Sequence, residues 1–220
     1  KKLSVYGIGG NTGVTGLGWE DRGKFSQGFD MDDAEVIGGG MIMFNGDGDF
    51  DDWSNAYYDE GIPRTLKAGA HFSNKWNRDK QNMNGNYSVK NININANGNS
   101  LTKYVLPDSA YYSRESHNTS SRQTEQLFNG MYDVKLDSFA SLRFKMNGKL
   151  ENTDKRTFTS TESTGEELQV INRNNRTNSS KLDAGTFLGS VLWRQKFKKK
   201  GRTLSFTGSY KRTDRDSKGF

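Results

Sequence analysis

The sequence contains no cysteine, which excludes a disulfide framework, a zinc–thiolate site and a cysteine nucleophile. Proline is almost missing, with Pro63 and Pro107 the two examples. No apolar run approaches the ~20 residues that a transmembrane helix needs, so an α-helical membrane protein is excluded. A transmembrane β-barrel is not, because its strands are apolar only at alternate positions. Hydrophobic residues make up 31% of the chain, and the mean hydropathy is −0.91, poor material for an ordinary buried core. Leu, Ile, Val and Phe together account for 42 of 220 residues, a level at which strongly charged chains are disordered. The net charge is only +6, however, and 13 Phe, 9 Tyr and 4 Trp exceed what a solvated tail carries. With 25 Gly beside so little proline, the composition suits β-structure. The opening Lys1-Lys2-Leu3, without Met, predicts a processed or partial polypeptide.

What the chain does have is alternation. In residues 64–76 Leu66, Ala68, Ala70, Phe72 and Trp76 share one strand face, opposite Lys67, His71 and Lys75. The pattern recurs with Phe128, Tyr132, Val134 and Leu136. Leu142, Phe144, Met146 and Leu150 repeat it opposite Arg143, Lys145 and Lys149. Phe187, Val191, Trp193 and Phe197 follow, then a KKKGR turn, then Leu204, Phe206 and Tyr210. In residues 82–96 the phase slips from Met83, Tyr87 and Val89 to Ile92, Ile94 and Ala96, which predicts a bulge near Lys90. Five Asn at alternate positions from Asn91 to Asn99 would form a ladder on one face, suited to a wet lumen or a watery rim.

Seven strands are expected, at roughly 2–9, 64–76, 82–96, 122–136, 140–151, 180–197 and 203–213. Long connections at 10–63, 97–121 and 152–179 alternate with short ones at 77–81, 137–139 and 198–202. Long and short loops alternate in this way in up-and-down outer-membrane barrels, where the long ones are extracellular. The fold expected is therefore all-β: an antiparallel up-and-down transmembrane β-barrel. Lys67, His71, Lys75, Arg143, Lys145 and Lys149 would face its lumen, and Trp76, Trp193 and Phe197 would form a periplasmic aromatic girdle.

GIPRTLKAGAHFSNKW, NGNYSV, SLTKYVLPDSAYY and WRQKFKKKGRTLSFTGSYKRTD carry a resemblance over most of residues 1–220. The chain resembles the outer-membrane β-barrel family of Bacteroidota, the barrel portion of TonB-dependent-receptor-like proteins. Gly61-Ile62-Pro63, Leu106-Pro107-Asp108-Ser109 and the turn from Lys198 to Leu204 are its more specific pieces. The resemblance implies a barrel of about 22 strands around a plug domain, with import powered by a TonB-type energiser. Residues 1–220 would then be one segment of that barrel domain, with the plug outside this stretch. Outer-membrane lipid, the protein's own plug and surface lipoproteins would be its partners. A barrel of the same family that scaffolds a lipoprotein complex without transport is the alternative. A soluble β-sandwich ranks below both, because the small Ala68, Ala70, Gly130, Gly148 and Gly208 would leave gaps in a sandwich core.

Residues 10–63 hold 12 Asp or Glu against Arg22 and Lys24. Within them Asn45, Asp47, Asp49 and Asp51 alternate as hard oxygen ligands for Ca2+ would, though Phe50 stands where an EF-hand needs Gly. A flexible acidic loop is the blander reading. An isoelectric point near 9.3 invites nucleic acid, but the cations are spread over strand faces and a turn, so no nucleic-acid partner is expected. Those on strands would pair with a plug or favour an anionic solute. His71 and His117 lie far apart with no nucleophile motif, and the glycine runs lack the helix and Lys of a phosphate loop. No catalytic residue and no cofactor beyond that calcium site is expected, so the protein is not read as an enzyme.

Overall fold

The computed structural model describes residues 1–11, 34–37, 40–43, 60–107, 109–199 and 201–219. Seven strands form one sheet in the order β1-β4-β5-β6-β7-β8-β9, each antiparallel to its sequence neighbour in the sheet. They are β1 (Lys2–Gly10), β4 (Ile62–Trp76), β5 (Gln81–Leu106), β6 (Ser109–Lys135), β7 (Ala140–Gly165), β8 (Val170–Lys196) and β9 (Thr203–Gly219). A separate pair, β2 (Ala34–Ile37) and β3 (Gly40–Met43), lies in sequence between β1 and β4. The sheet is open, with β1 and β9 at its edges.

Turn chemistry sets the short connections where the sequence places them. Asp137 Oδ1 accepts from the amides of Phe139 (2.6 Å) and Ala140 (2.7 Å), which closes the β6–β7 turn. Between β8 and β9, Gly201 takes a φ of 81°, in the left-handed region that glycine occupies at least cost. The β4–β5 turn has no glycine. Asn77, Arg78 and Asp79 all adopt positive φ there, and Lys80 N donates to Asn77 O at 3.1 Å.

Two expectations need correction. The polar stretches 97–121 and 152–179 are strand almost throughout, because β5 to β8 run 26 or 27 residues each. Their Thr, Ser and Asn suit strands with water on both faces, so polarity alone did not distinguish a projecting hairpin from a loop. Leu106 sits directly opposite Ser109, so β5 and β6 are joined through two residues. The second correction concerns the bulge near Lys90. The register of β5 against both neighbours runs unbroken through that residue, and the irregularity lies between Ser163 and Thr164 instead. The slip in hydrophobic phase has another cause, which appears when the two faces are compared.

Candidate functional site

Registered pairs share a face, so the ladder can be read row by row across the sheet. One face carries Leu3, Phe72, Met146 and Tyr210 in one row, and Val5, Ala70, Tyr87, Phe128 and Phe187 in the next. The opposite face carries Lys67, Lys90, Glu125 and Glu151 in a single row. In these rows burial runs opposite to that of a soluble protein, although Leu127, Met131 and Leu192 are also buried on the polar face. Leu3, Val5 and Leu66 are 67%, 72% and 65% exposed, whereas Lys67, Lys90 and Glu125 are 4%, 2% and 5% exposed. Among the described residues no second layer packs on the apolar face, since each long strand packs on its sheet neighbours.

The apolar face has edges. From Trp76 to Leu66 in β4, and from Phe197 to Phe187 at the end of β8, it is apolar except at Asn74 and Gln195, about 33 Å of strand rise. Beyond it the same face turns polar, with Asn91, Thr124, Asn152, Asp183 and Asp216 in one row. The boundary is oblique. Its last apolar residue before the polar rows is Leu66 in β4, Val89 in β5, Phe128 in β6, Leu150 in β7, Phe187 in β8 and Tyr210 in β9, so it steps back by one row at β7 on an otherwise steady slope. Three ladder rows are lost over five strand spacings, about 20 Å along the strands against about 24 Å across them. The boundary is therefore inclined by about 40° to the perpendicular of the strands.

The phase slip in β5 now has its reason. Met83, Tyr87 and Val89 lie on the apolar face, and Ile92, Ile94 and Ala96 lie buried on the other, so the strand swaps its apolar side as it leaves the apolar zone. The Asn ladder accordingly lies on the outward side, beyond the zone. Asn91 Nδ2 donates to Thr124 Oγ1 at 2.9 Å, and Asn118 Nδ2 donates to Asn97 Oδ1 at 2.7 Å.

At the short-turn end the apolar face is aromatic. Trp76 stacks on Tyr132 with ring centroids 6.0 Å apart, and Tyr132 stacks on Phe144 at 6.4 Å. Trp193 faces Phe206 across the β8–β9 ladder, and Phe197 follows on the same side just past the end of β8. All three expected girdle residues thus gather at this end, with Tyr132 and Phe144 added.

The six expected cations Lys67, His71, Lys75, Arg143, Lys145 and Lys149 share the polar face. The structure also supplies their counter-charges, which the alternation did not single out. Lys90 Nζ lies 2.7 Å from Glu125 Oε1, and Lys149 Nζ lies 3.1 Å from Glu125 Oε2 and 3.6 Å from Glu151. Nearer the short turns, Arg143 Nε donates to Asp133 Oδ1 at 2.6 Å. Hairpin register could have revealed these pairs, since Lys90 stands directly opposite Glu125 and Asp133 directly opposite Arg143. Tyr6 lies over Gly69 in the same face, where a Cβ on Gly69 would come within 2.6 Å of its ring. His71 Nδ1 and Asn86 Oδ1 are buried there without a hydrogen-bond partner among the described residues.

Asn45, Asp47, Asp49 and Asp51, the expected calcium ligands, lie outside the described residues. Among the described residues no three His, Asp or Glu side chains gather as a metal would require. His117 is instead paired with Glu60, at 2.7 Å. No protein-family model matches the chain, and no curated protein matches it in sequence.

Proposed function

We propose that this sheet is part of the wall of an outer-membrane β-barrel of the TonB-dependent-receptor-like kind, which imports a solute. One observation carries the reading: the sheet exposes its apolar face and buries its ions. In water that arrangement is costly, at roughly 25 cal/mol for each Å² of apolar surface left wet. In lipid it is the stable one, because the bilayer covers the apolar side and the polar side lines a water-filled interior.

The dimensions support the same reading. Strands in such barrels tilt by about 35–45° around an outward apolar band about 25 Å tall. A horizontal membrane edge drawn across strands tilted by about 40° crosses the ladder obliquely, as the apolar boundary does here. A strand rise of about 33 Å at that tilt covers about 25 Å of height. The edges of β1 and β9 each present a row of backbone donors and acceptors, which further strands of a larger barrel would satisfy. The polar face, with Lys67, Lys90, Lys145 and Lys149, would line the interior and pass an anionic or polar solute.

The transport reading is tested by deleting the protein in its own cell and measuring growth on a panel of scarce, poorly diffusing nutrients. Loss of growth on one nutrient, reproduced by inactivating the energy-coupling system, supports import. Normal growth on all of them contradicts it.

A scaffold role is the second reading, favoured by the hairpins beyond the apolar zone. β5–β6 and β7–β8 extend about 15 residues past it, roughly 40 Å if they hold the same tilt. Their tips expose Leu101, Val105, Leu168 and Ile171, and Tyr104 stacks on Tyr111 with centroids 4.7 Å apart. Such a tip suits a bound protein. Lipoproteins that stay with the purified barrel until the tip residues are changed to Ser would support this reading.

A further inference from the structure

The sequence KFKKKGR at 196–202 holds five cations and no acidic residue. The other short turns each carry a carboxylate, Asp79 beside Arg78 in one and Asp137 near Lys135 in the other. The β8–β9 turn is closed by its own backbone: Phe197 N donates to Arg202 O at 3.0 Å, and Arg202 N donates to Lys199 O at 3.3 Å. Lys198, Lys199 and Arg202 are thereby gathered within one turn, and all are exposed. Neither they nor Lys196 lie within ion-pair distance of a carboxylate among the described residues.

The apolar face runs directly into this turn. Phe197 immediately precedes Lys198, and Leu204 stands two residues after Arg202, on the same side as Trp193 and Phe206. Phe197, Leu204 and Phe206 are all exposed. Lys196 N donates to Phe139 O at 2.7 Å, which brings the exposed Phe139 of the β6–β7 turn alongside. Exposed rings and unpaired cations thus share one short stretch of chain. The opposite end of the sheet lacks this excess of charge: the hairpin tips at 100–116 and 157–178 carry four cations against five acidic residues.

We infer that the β8–β9 turn docks on anionic phospholipid headgroups at the membrane surface beside the short turns. Lys198, Lys199 and Arg202 meet the phosphates, and Phe197 and Leu204 enter the boundary between headgroups and acyl chains. The inference rests on the barrel reading, which sets this turn at a membrane surface. A lipid is selected over a soluble acidic protein because the cations adjoin, within the same two strands, a face that lipid covers.

The test uses the full chain carrying a fluorophore on Gln195→Cys, which lies on the outward side two residues before Phe197. The protein is placed in phosphatidylcholine vesicles, and acyl-brominated phosphatidylglycerol or phosphatidylcholine is added as quencher, so that the local preference for each lipid is read at this turn. Phosphatidylglycerol is expected to be favoured about fivefold at low salt, which is about 1 kcal/mol, the value of one basic side chain at such a surface. Adding K198Q/K199Q/R202Q should bring the ratio close to 1. Adding K103Q/R114Q/R176Q, which removes the same charge from the long hairpins, should leave it unchanged. Unaltered quenching by brominated phosphatidylcholine shows that a variant is still inserted. Sodium chloride at about 0.5 M should also bring the ratio towards 1, a check that needs no substitution in the turn. A ratio near 1 in the parent protein, one that the turn variant keeps, or one that the hairpin variant loses equally would overturn the docking. Quenching by neither brominated lipid would refute the membrane barrel itself, and the docking with it.

Discussion

Lys90 and Glu125 stand directly opposite each other in the β5–β6 ladder, with Nζ and Oε1 2.7 Å apart and both side chains almost fully buried. Glu125 also holds Lys149 at 3.1 Å, while Lys67 lies beside Lys90 in the same row. Glu125, with Glu151 beside it, therefore offsets a group of cations in a row where the side chains bury one another. Removing one partner of such a pair leaves a buried charge uncompensated, which costs more than the pair contributes.

Glu125→Gln is expected to destabilise the protein by about 3 kcal/mol, read as a shift in urea unfolding of the reconstituted chain. Adding Lys90→Met should restore part of that loss, since the substitution removes one of the stranded cations. Single and double variants that behave additively would show the two side chains to be uncoupled.

A charge on the apolar face should be tolerated according to its height. Phe72→Arg, in the middle of the zone, is expected to cost about 2–4 kcal/mol in vesicles, whereas Asn95→Arg, beyond the zone, should cost about 1 kcal/mol or less. Equal costs would mean that the two positions meet the same solvent.

Gly61 marks the start of β4 with a φ of 94°, and a Cβ there would lie 2.8 Å from the backbone oxygen of Asn95. Backbone cannot swing aside as a side chain can. Gly61→Ala should therefore lower stability by at least about 1–2 kcal/mol in the same unfolding assay.

The β4–β5 turn offers the opposite outcome. Arg78 holds a φ of 54° between Asn77 and Asp79, and of the three it is the residue type least suited to the left-handed region. Arg78→Gly relieves that strain at some cost in unfolded-state entropy, so a net gain of about 0.5–1 kcal/mol is expected. A loss would show that the arginine side chain makes a compensating contact.

Much of this architecture was legible in the sequence. Alternation from Leu66 to Trp76 and from Leu142 to Leu150 identified strands and their faces, and Asp137-Ser138-Phe139 identified a turn. Period-two patterning failed where both faces meet water. Ser113 to Ser121 and Thr157 to Thr164 carry no apolar rhythm, so the pattern alone predicts loops where the chain forms strands. The slip at Lys90 has a related cause: β5 swaps its apolar side along its length with its register unbroken, a pattern that alternation alone does not separate from a bulge. Alternation within one strand does not single out Glu125 or Asp133, whose role as partners of Lys90 and Arg143 emerges only from the ladder.

The central claim is that the apolar face meets lipid and the opposite face meets water. The absence of cysteine makes it directly testable, because a single introduced thiol is the sole labelling site in this sequence. Nitroxide labels would be placed one at a time from Leu127 to Tyr132 in β6, from Phe187 to Trp193 in β8 and at Asn95 in β5, with the protein in vesicles. The account predicts alternation: labels at Phe128, Gly130 and Tyr132 collide with oxygen dissolved in lipid, and labels at Leu127, Asn129 and Met131 collide with a water-soluble nickel reagent or are shielded from both. Water accessibility at Phe128 and Phe187 equal to that at Asn95, or a profile without period two, would contradict it.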